Sequence, residues 1–104
     1  MRKFIIDTDT ASDDAAAIMI AAMEPDVEIL GVTVVAGNVS VEQAALNALA
    51  TLEVCKCDAP VYLGQYRPLF KERKETISVH GADGMGDCGL INPVGRPADG
   101  RAVE

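Results

Sequence analysis

The sequence predicts an α/β fold, in which a parallel, Rossmann-like sheet is built in the order β-α-β-α-β. Three short runs rich in aliphatic and β-branched residues alternate with two longer segments whose apolar residues recur at helical spacing. The connections between these segments are short, and strands that alternate with helices pair in parallel through right-handed crossovers. The chain of 104 residues has the length of one domain, which we assign to residues 1–104.

The N-terminal segment passes from a strand into a helix. A strand is predicted from Lys3 to Asp7, where one aromatic residue and two isoleucines precede polar residues. A helix is predicted over 13–23, since Ser12 can cap its start and Pro25 stops it. The apolar stripe of this helix consists of Ala15, Ile18, Met19 and Ala22.

The next three elements complete the alternation. Residues 27–35 are almost unbroken in aliphatic side chains, which is typical of a strand buried on both faces of a parallel sheet. Ser40 and Gln43 have the spacing of a capping box, so they open a second helix that should end near Cys55. A third strand is predicted over 60–63. The apolar stripe of the second helix consists of Val41, Ala45, Ala48, Leu49 and Leu52.

The composition excludes several classes of partner. With 16 acidic residues against nine basic ones, the formal charge is −7, whereas a nucleic-acid-binding protein needs clustered Lys and Arg. No apolar run has the length of a membrane span or of a secretory signal. The three cysteines, an odd number, are typical of free thiols in a reducing compartment. We therefore expect a cytoplasmic protein with no nucleic acid and no membrane as a partner.

Four carboxylates lie within eight residues where the first strand passes into the first helix. Asp7 and Asp9 leave the strand, and Asp13 and Asp14 enter the first helical turn, where the helix dipole favours them. Side chains two apart on a strand point to the same side, so we expect all four to converge. Like charges held together raise one another's pKa unless a cation offsets the repulsion, and an all-oxygen ligand set favours Ca²⁺ or Mg²⁺. The sequence therefore predicts a metal site here.

Two further segments are expected at the same edge of the sheet, because ligands of such sheets bind outside the carboxyl ends of the strands. One is the turn at residues 36–38, which follows the second strand. The other is the glycine-rich stretch after the third strand, which we assign as an active-site loop region over residues 67–100.

Three motifs in these segments occur in a characteristic order along the chain. They are Asp7-Thr8-Asp9 with Asp13-Asp14, then Val35-Ala36-Gly37-Asn38, and then His80-Gly81-Ala82-Asp83-Gly84-Met85-Gly86. In these motifs the chain resembles the nucleoside hydrolases of the inosine–uridine-preferring type, over nearly its whole length. The resemblance implies the N-terminal part of the nucleoside hydrolase fold. It also implies hydrolysis of the N-glycosidic bond of ribonucleosides, giving ribose and free base, with Ca²⁺ as the cofactor.

The resemblance further implies roles for the carboxylates of the first motif. Asp9 would ligate the calcium and act as the general base on the attacking water. Asp14 would be a second, bidentate ligand, and Asp7 would support the metal site. A carboxylate beside such a water can take its proton as the water attacks the anomeric carbon of the ribose.

The remaining implied roles concern the nucleoside substrate. Asp13 and Asn38 would hold ribose hydroxyls, whose contacts stabilise the transition state at the sugar. His80, the second candidate catalytic residue, would lie in a loop near the base. Base preference would come from other parts of the fold.

The chain departs from the family pattern in two ways. Thr10-Ala11 stands where the family usually has Pro-Gly. The family fold also runs far beyond residue 104, and its later part supplies further calcium ligands, ribose contacts and the acid for the leaving base. We therefore expect an incomplete domain, completed by a missing C-terminal part or by a second copy in a homo-oligomer, with little activity in the isolated chain.

Two alternatives to a nucleoside hydrolase stay open. Mg²⁺-dependent aspartate-nucleophile phosphatases also follow their first strand with Asp-x-Asp, but their motif has Thr where this chain has Ala11, and they do not use Asp13-Asp14. The chain could instead be an inactive fragment, or a metal-binding module that needs a partner to complete its sheet. Release of base, of phosphate or of neither from a nucleoside and an aryl phosphate distinguishes the three.

Overall fold

The computed structural model describes residues 1–37, 39–66, 81–86 and 93–103. Within these ranges the chain forms three strands and two helices in the predicted order. They are β1 Arg2–Thr8, α1 Ser12–Met23, β2 Val27–Val34, α2 Val41–Val54 and β3 Val61–Leu63. The predicted α/β fold class is confirmed.

The three described strands form a parallel sheet in the order β1-β2-β3, with β2 in the centre. Near the ends of the strands, Asp7 is paired with Thr33, which is paired in turn with Tyr62. The register shifts between Phe4 and Ile5, which pair with Ile29 and Gly31, so the extra residue, Leu30, lies in β2. Because the strands run in one direction, their carboxyl ends meet at one side of the sheet, which we call the carboxyl edge.

The hydrophobic core lies between the sheet and the two helices. The helices contact each other and β2, which places both on the same face of the sheet. Small side chains on α2, such as Ala44 and Ala48, are fully buried and let its backbone approach the strands closely. The buried cluster consists of Ile18, Val32, Val34, Val39, Val41, Ala44, Ala45, Ala48, Leu49, Leu52 and Val61.

The second helix begins as its sequence predicts. The Ser40 side-chain oxygen accepts a hydrogen bond from the Gln43 backbone N–H at 3.2 Å, and the C-cap is Cys55. The Gln43 side chain does not return to Ser40 but donates to Asn47 Oδ1 at 3.0 Å. One half of the capping box is therefore formed, while the other half supports a buried side chain within the helix.

The predicted cap of the first helix is wrong. The N-cap residue is Ala11, which has no side-chain acceptor, and Ser12 is already the first helical residue. The turn before α1 is closed instead by Thr8, whose Oγ1 accepts a hydrogen bond from the Thr10 N–H at 3.1 Å. At its other end α1 stops before Pro25, as expected. Neither α1 nor α2, the helices that the structure describes, is long and apolar enough to cross a membrane.

The segment 93–103 lies beside β3. Ala98 N donates to Val61 O at 2.7 Å and Ala102 N donates to Leu63 O at 2.9 Å, with a parallel bridge between Leu63 and Arg101. At its start, the Glu53 carboxylate on α2 accepts hydrogen bonds from the backbone N–H groups of residues 94 and 95 at 2.8 Å. This part of the proposed loop region therefore covers the outer edge of β3.

The second face of the sheet is open among the described residues. β2 was expected to be buried on both faces, but Glu28 and Leu30 are exposed. On β1, which has a partner strand only on its β2 side within the described ranges, Ile5 keeps 69% of its surface exposed. Both helices pack on the opposite face, so no described element covers these side chains.

Candidate active site

The carboxyl edge joins the turns that follow the three strands. Val35 N donates to Thr8 O at 3.0 Å, which ties the turn after β2 to the end of β1. Ala36 N donates to Gln65 O at 2.9 Å, which ties the same turn to the residues after β3. These backbone bonds fix the positions from which side chains project at this edge.

The Asp9 side chain lies directly against Gly37. A Cβ atom on Gly37 would lie 2.7 Å from Cβ of Asp9, and it would also overlap the Asp9 carboxylate. Real side-chain atoms do not approach so closely, so only glycine leaves room for the carboxylate here. The structure thus brings Asp9 to the turn after β2. Asn38, the next residue in that turn, lies outside the described residues.

Asp9 and Asp14 form a carboxylate pair. A hydrogen bond with Asp14 raises the pKa of Asp9 to about 6, and partial burial and the negative charges of Asp14 and Asp13 act in the same direction. Two carboxylates in contact cannot both be ionised without repulsion, so the pair holds a proton more tightly than a free Asp does. A cation bound between them would replace that proton.

Two buried threonines hold Asp14 in place. Thr8 Oγ1 donates to Asp14 Oδ2 at 2.8 Å, and it lies 3.2 Å from Thr10 Oγ1. Thr10 is fully buried and Thr8 nearly so, which shields these bonds from water. Thr10, which stands where the family usually has Pro, therefore helps to close the turn through its side chain and its N–H.

The other two carboxylates of the predicted cluster are placed differently. Asp13 is exposed in the first turn of α1, and its charge contributes to the raised pKa of Asp9. Asp7 is still within β1, where its Oδ1 accepts a hydrogen bond from Thr33 Oγ1 at 2.7 Å. The expected convergence of all four is not found in the part of the chain that the structure describes. The prediction from two-residue spacing was wrong because Asp9 lies after the strand, in the turn.

The donor set at Asp9 and Asp14 fits a hard divalent cation. Within the described ranges, no three His, Cys, Asp or Glu side chains lie close enough together to hold a metal ion. The Asp9–Asp14 pair nevertheless offers two carboxylates joined by a hydrogen bond, which, together with partial burial and their like charge, raises the pKa of Asp9. Ca²⁺ and Mg²⁺ prefer such oxygen ligands. The pair therefore fits part of a cation site that other oxygens would complete.

The segment 81–86 packs over the start of α2. Gly81, Gly84 and Gly86 have φ values of 80°, 78° and 69°, a conformation that favours glycine. The Met85 N–H donates to Asp83 Oδ1 at 2.8 Å, which tightens the turn. His80, the residue before this segment, lies outside the described residues.

Asn47 is a site residue that sequence analysis missed. It is fully buried on α2, and its amide nitrogen donates to Thr10 O at 2.9 Å and to Asp83 O at 2.8 Å. The available signal was a second stripe on α2 at helical spacing, in which the polar residues Asn47 and Thr51 alternate with alanines. A polar side chain on a buried stripe must find hydrogen-bond partners, and here they lie in two different turns.

A Rossmann-like parallel sheet with a carboxylate pair at its carboxyl edge defines a class of ligand-binding α/β proteins. Within that class, the family model of the inosine-uridine preferring nucleoside hydrolases matches residues 4–104. The chain therefore belongs to the inosine–uridine-preferring nucleoside hydrolase family, as its motifs imply.

Individual relatives agree with this family. An uncharacterized protein of Schizosaccharomyces pombe is 42% identical over 103 residues, 98% of this chain and 33% of its own length. The pyrimidine-specific ribonucleoside hydrolase RihB of Escherichia coli strain SE11 is 36% identical over 98 residues, 94% of this chain and 31% of its own. Among solved structures, the purine-preferring ribonucleoside hydrolase from Gardnerella vaginalis superposes with a TM-score of 0.85 at 31% identity, covering 98% of this chain and 34% of that one. The chain thus spans about a third of the length of these relatives.

Proposed function

We propose that this chain carries the water-activating and ribose-binding part of a Ca²⁺-dependent nucleoside hydrolase, which converts a ribonucleoside to ribose and free base. The observation that carries the proposal is the Asp9–Asp14 pair, held against Gly37 at the carboxyl edge. Membership of the nucleoside hydrolase family supports the same chemistry.

Asp9 is the proposed general base. Without metal, its contact with Asp14 raises its pKa to about 6, and a cation at the pair would lower that pKa, so that the carboxylate is ionised at neutral pH and able to accept a proton. In the reaction, one Asp9 oxygen accepts a proton from water while that water attacks the anomeric carbon of the ribose. The bond from that carbon to the base nitrogen breaks, and its electron pair leaves with the base.

Asp14 positions Asp9 and shares the cation site with it. The hydrogen bond from Thr8 fixes Asp14, so the contact between the two carboxylates is preset before a ligand arrives. Asp9 and Asp14 would hold Ca²⁺ with support from Asp7, and a bound cation would supply positive charge that offsets their repulsion and lowers the pKa of a neighbouring water.

The ribose is proposed to lie beside the first turn of α1. Asp13 is exposed there, so its carboxylate is available to accept hydrogen bonds from ribose hydroxyls. Its charge acts on Asp9, which places these contacts near the proposed general base. Asn38 is assigned the same role because it follows Gly37, which contacts Asp9. His80 is assigned to the leaving-base side, since it precedes the segment 81–86 that is bonded to Asn47.

Catalysis at full rate needs further groups. The departing base also needs a proton donor, and general acid assistance typically contributes about 10²–10⁴-fold. We therefore propose that the 104-residue chain alone hydrolyses nucleosides near background, and that activity requires residues such as those in the remaining two thirds of its longer relatives, or those of a second copy.

A chimera tests this proposal directly. Residues 1–104 would replace the matching third of the Escherichia coli relative, which is 36% identical, and the product would be incubated with inosine, uridine and an aryl phosphate. The proposal predicts release of ribose and base, lost in Asp9→Asn. Asp26→Asn is the matched control, because Asp26 is an exposed carboxylate paired with Arg2.

Two outcomes would contradict the proposal. One is a folded chimera that releases phosphate from the aryl phosphate and no base from either nucleoside. The other is release of base that Asp9→Asn leaves unchanged.

A further inference from the structure

Asn47 connects two segments that are far apart in the sequence. Its amide nitrogen has two hydrogens, and each has an acceptor: Thr10 O at 2.9 Å and Asp83 O at 2.8 Å. Its Oδ1 accepts from Gln43 Nε2 at 3.0 Å. The side chain is fully buried and both of its donor hydrogens are used, so it can neither rotate nor be replaced without leaving partners unsatisfied.

One of the two acceptors belongs to the carboxylate turn, which we define as residues 8–11. Thr10 follows Asp9 directly, and its own N–H is bonded to Thr8, the residue that holds Asp14. The Thr10 carbonyl belongs to the peptide that joins Thr10 to Ala11, so a shift of this carbonyl changes the turn in which Asp9 lies.

The other acceptor belongs to the segment 81–86. Gly84 packs so tightly here that an added Cβ would lie 2.9 Å from Val39 Cγ1 and 3.3 Å from Asn47 Nδ2. Its φ of +78° also excludes most side chains without strain. The segment is thus held against Asn47 of α2 and against Val39, which precedes that helix.

We infer that Asn47 is a positioning residue that couples the carboxylate turn to the segment 81–86. Its amide sets the distance between the two, so a displacement of the segment is transmitted to Asp9 and a cation at Asp9 and Asp14 stabilises the segment. The coupling itself follows from the geometry alone. Its effect on cation binding rests on the proposed function.

Amide hydrogen exchange of the whole 104-residue chain tests the coupling without metal or substrate. Gly84→Ala strains the segment 81–86 and presses its methyl group on Val39 and on the Asn47 amide, so exchange at Met85, whose N–H donates to Asp83 Oδ1 in a half-buried bond, should accelerate on the order of tenfold. The inference predicts that exchange at the Thr10 N–H accelerates in the same variant. The Val32 N–H, which donates to Pro60 O, serves as the remote reference and should not change.

A second set of variants removes the amide itself. Asn47→Leu keeps the approximate volume but deprives both carbonyls of their donor, so exchange should accelerate at Thr10 and Met85 together. Thr51→Val is the matched control, since Thr51 is buried on the same helix and its hydroxyl donates within that helix, to Asn47 O. It should leave the exchange rates of the Thr10 and Met85 N–H groups unchanged.

Calcium titration of these variants separates the inference from the proposed function. Asn47→Leu should weaken Ca²⁺ binding about tenfold, and Thr51→Val should not. Calcium binding combined with unchanged Thr10 exchange in Gly84→Ala would overturn the inference and leave the proposed function standing. Coupled exchange in a chain that binds no calcium would support the inference and contradict the proposed function. If Asn47→Leu does not fold, Gly84→Ala alone decides.

Discussion

At the scale of single residues, the site depends on contacts that leave little freedom. Asp9 fills the space beside Gly37, and Asp14 is fixed by the buried hydroxyl of Thr8. The sequence pointed to Asp9 and Asp14 through the density of carboxylates, but it also predicted that Asp7 converges directly with them. Asp7 instead bonds to Thr33, a partner set by strand register that alternation along one strand cannot reveal.

The Asp9–Asp14 pair predicts a pH dependence of stability. The pKa of Asp9 rises from 3.8 to about 6 on folding, so the folded chain holds this proton more tightly than the unfolded chain. The resulting contribution to stability is full below about pH 4 and is lost as the pH rises through 6. Asp14→Asn removes the repulsion and keeps an acceptor for Thr8.

Thermal melts of both chains without metal, at several pH values, measure this effect. The Tm of Asp14→Asn minus that of the unmodified chain should increase between pH 4 and pH 7. A difference that is constant or decreases over this range would show that the two carboxylates do not share a proton.

At the scale of elements, local signals predicted the helices and strands well where a single segment determines the outcome. The cap of α2 needs only Ser40 and Gln43, and the Ser40 half of the predicted box forms, whereas the Gln43 side chain bonds to Asn47. The start of α1 depends on the buried Thr8–Thr10 contact, so Ser12 was given a role that belongs to the preceding turn. Asn47 was missed because its acceptors, Thr10 and Asp83, are more than 35 residues away.

The two helix starts predict different costs for the same substitution. Ser40→Ala removes the side-chain acceptor for Gln43 N–H and should lower the free energy of unfolding by about 1 kcal/mol. Ser12→Ala removes no N-cap acceptor and should therefore lower it by less than Ser40→Ala does. Urea unfolding of both variants measures the difference, and equal losses would contradict the assignment of Ala11 as the N-cap.

At the scale of the whole molecule, one edge of the described sheet is covered and the other edge is uncovered. Residues 98–102 cover the edge of β3, whereas β1 has a described partner only on its β2 side and exposes Ile5. Composition and periodicity predicted the parallel sheet, but they could not predict the covering segment, because it joins β3 through backbone hydrogen bonds and has no periodic apolar pattern. An unpaired edge with apolar side chains favours association.

We therefore expect the purified chain to associate as its concentration rises. Ile5→Lys places a charge on the exposed surface of β1 and should shift sedimentation profiles toward the monomer. Val94→Lys is the matched control, because Val94 is equally apolar and even more exposed but lies beside α2. A chain that stays monomeric at all concentrations, or an equal effect of both variants, would contradict a role for β1.

The central claim is that Asp9 and Asp14 form part of a calcium site, and thermal stability with and without the ion tests it most directly. A ligand that binds only the folded chain raises Tm, so millimolar Ca²⁺ should raise it more than equal Mg²⁺ does. Asp14→Ala should abolish this rise, whereas Asp26→Asn, which removes an exposed carboxylate paired with Arg2, should keep it. A Tm that neither ion changes, or a calcium effect that survives in Asp14→Ala, would contradict the claim.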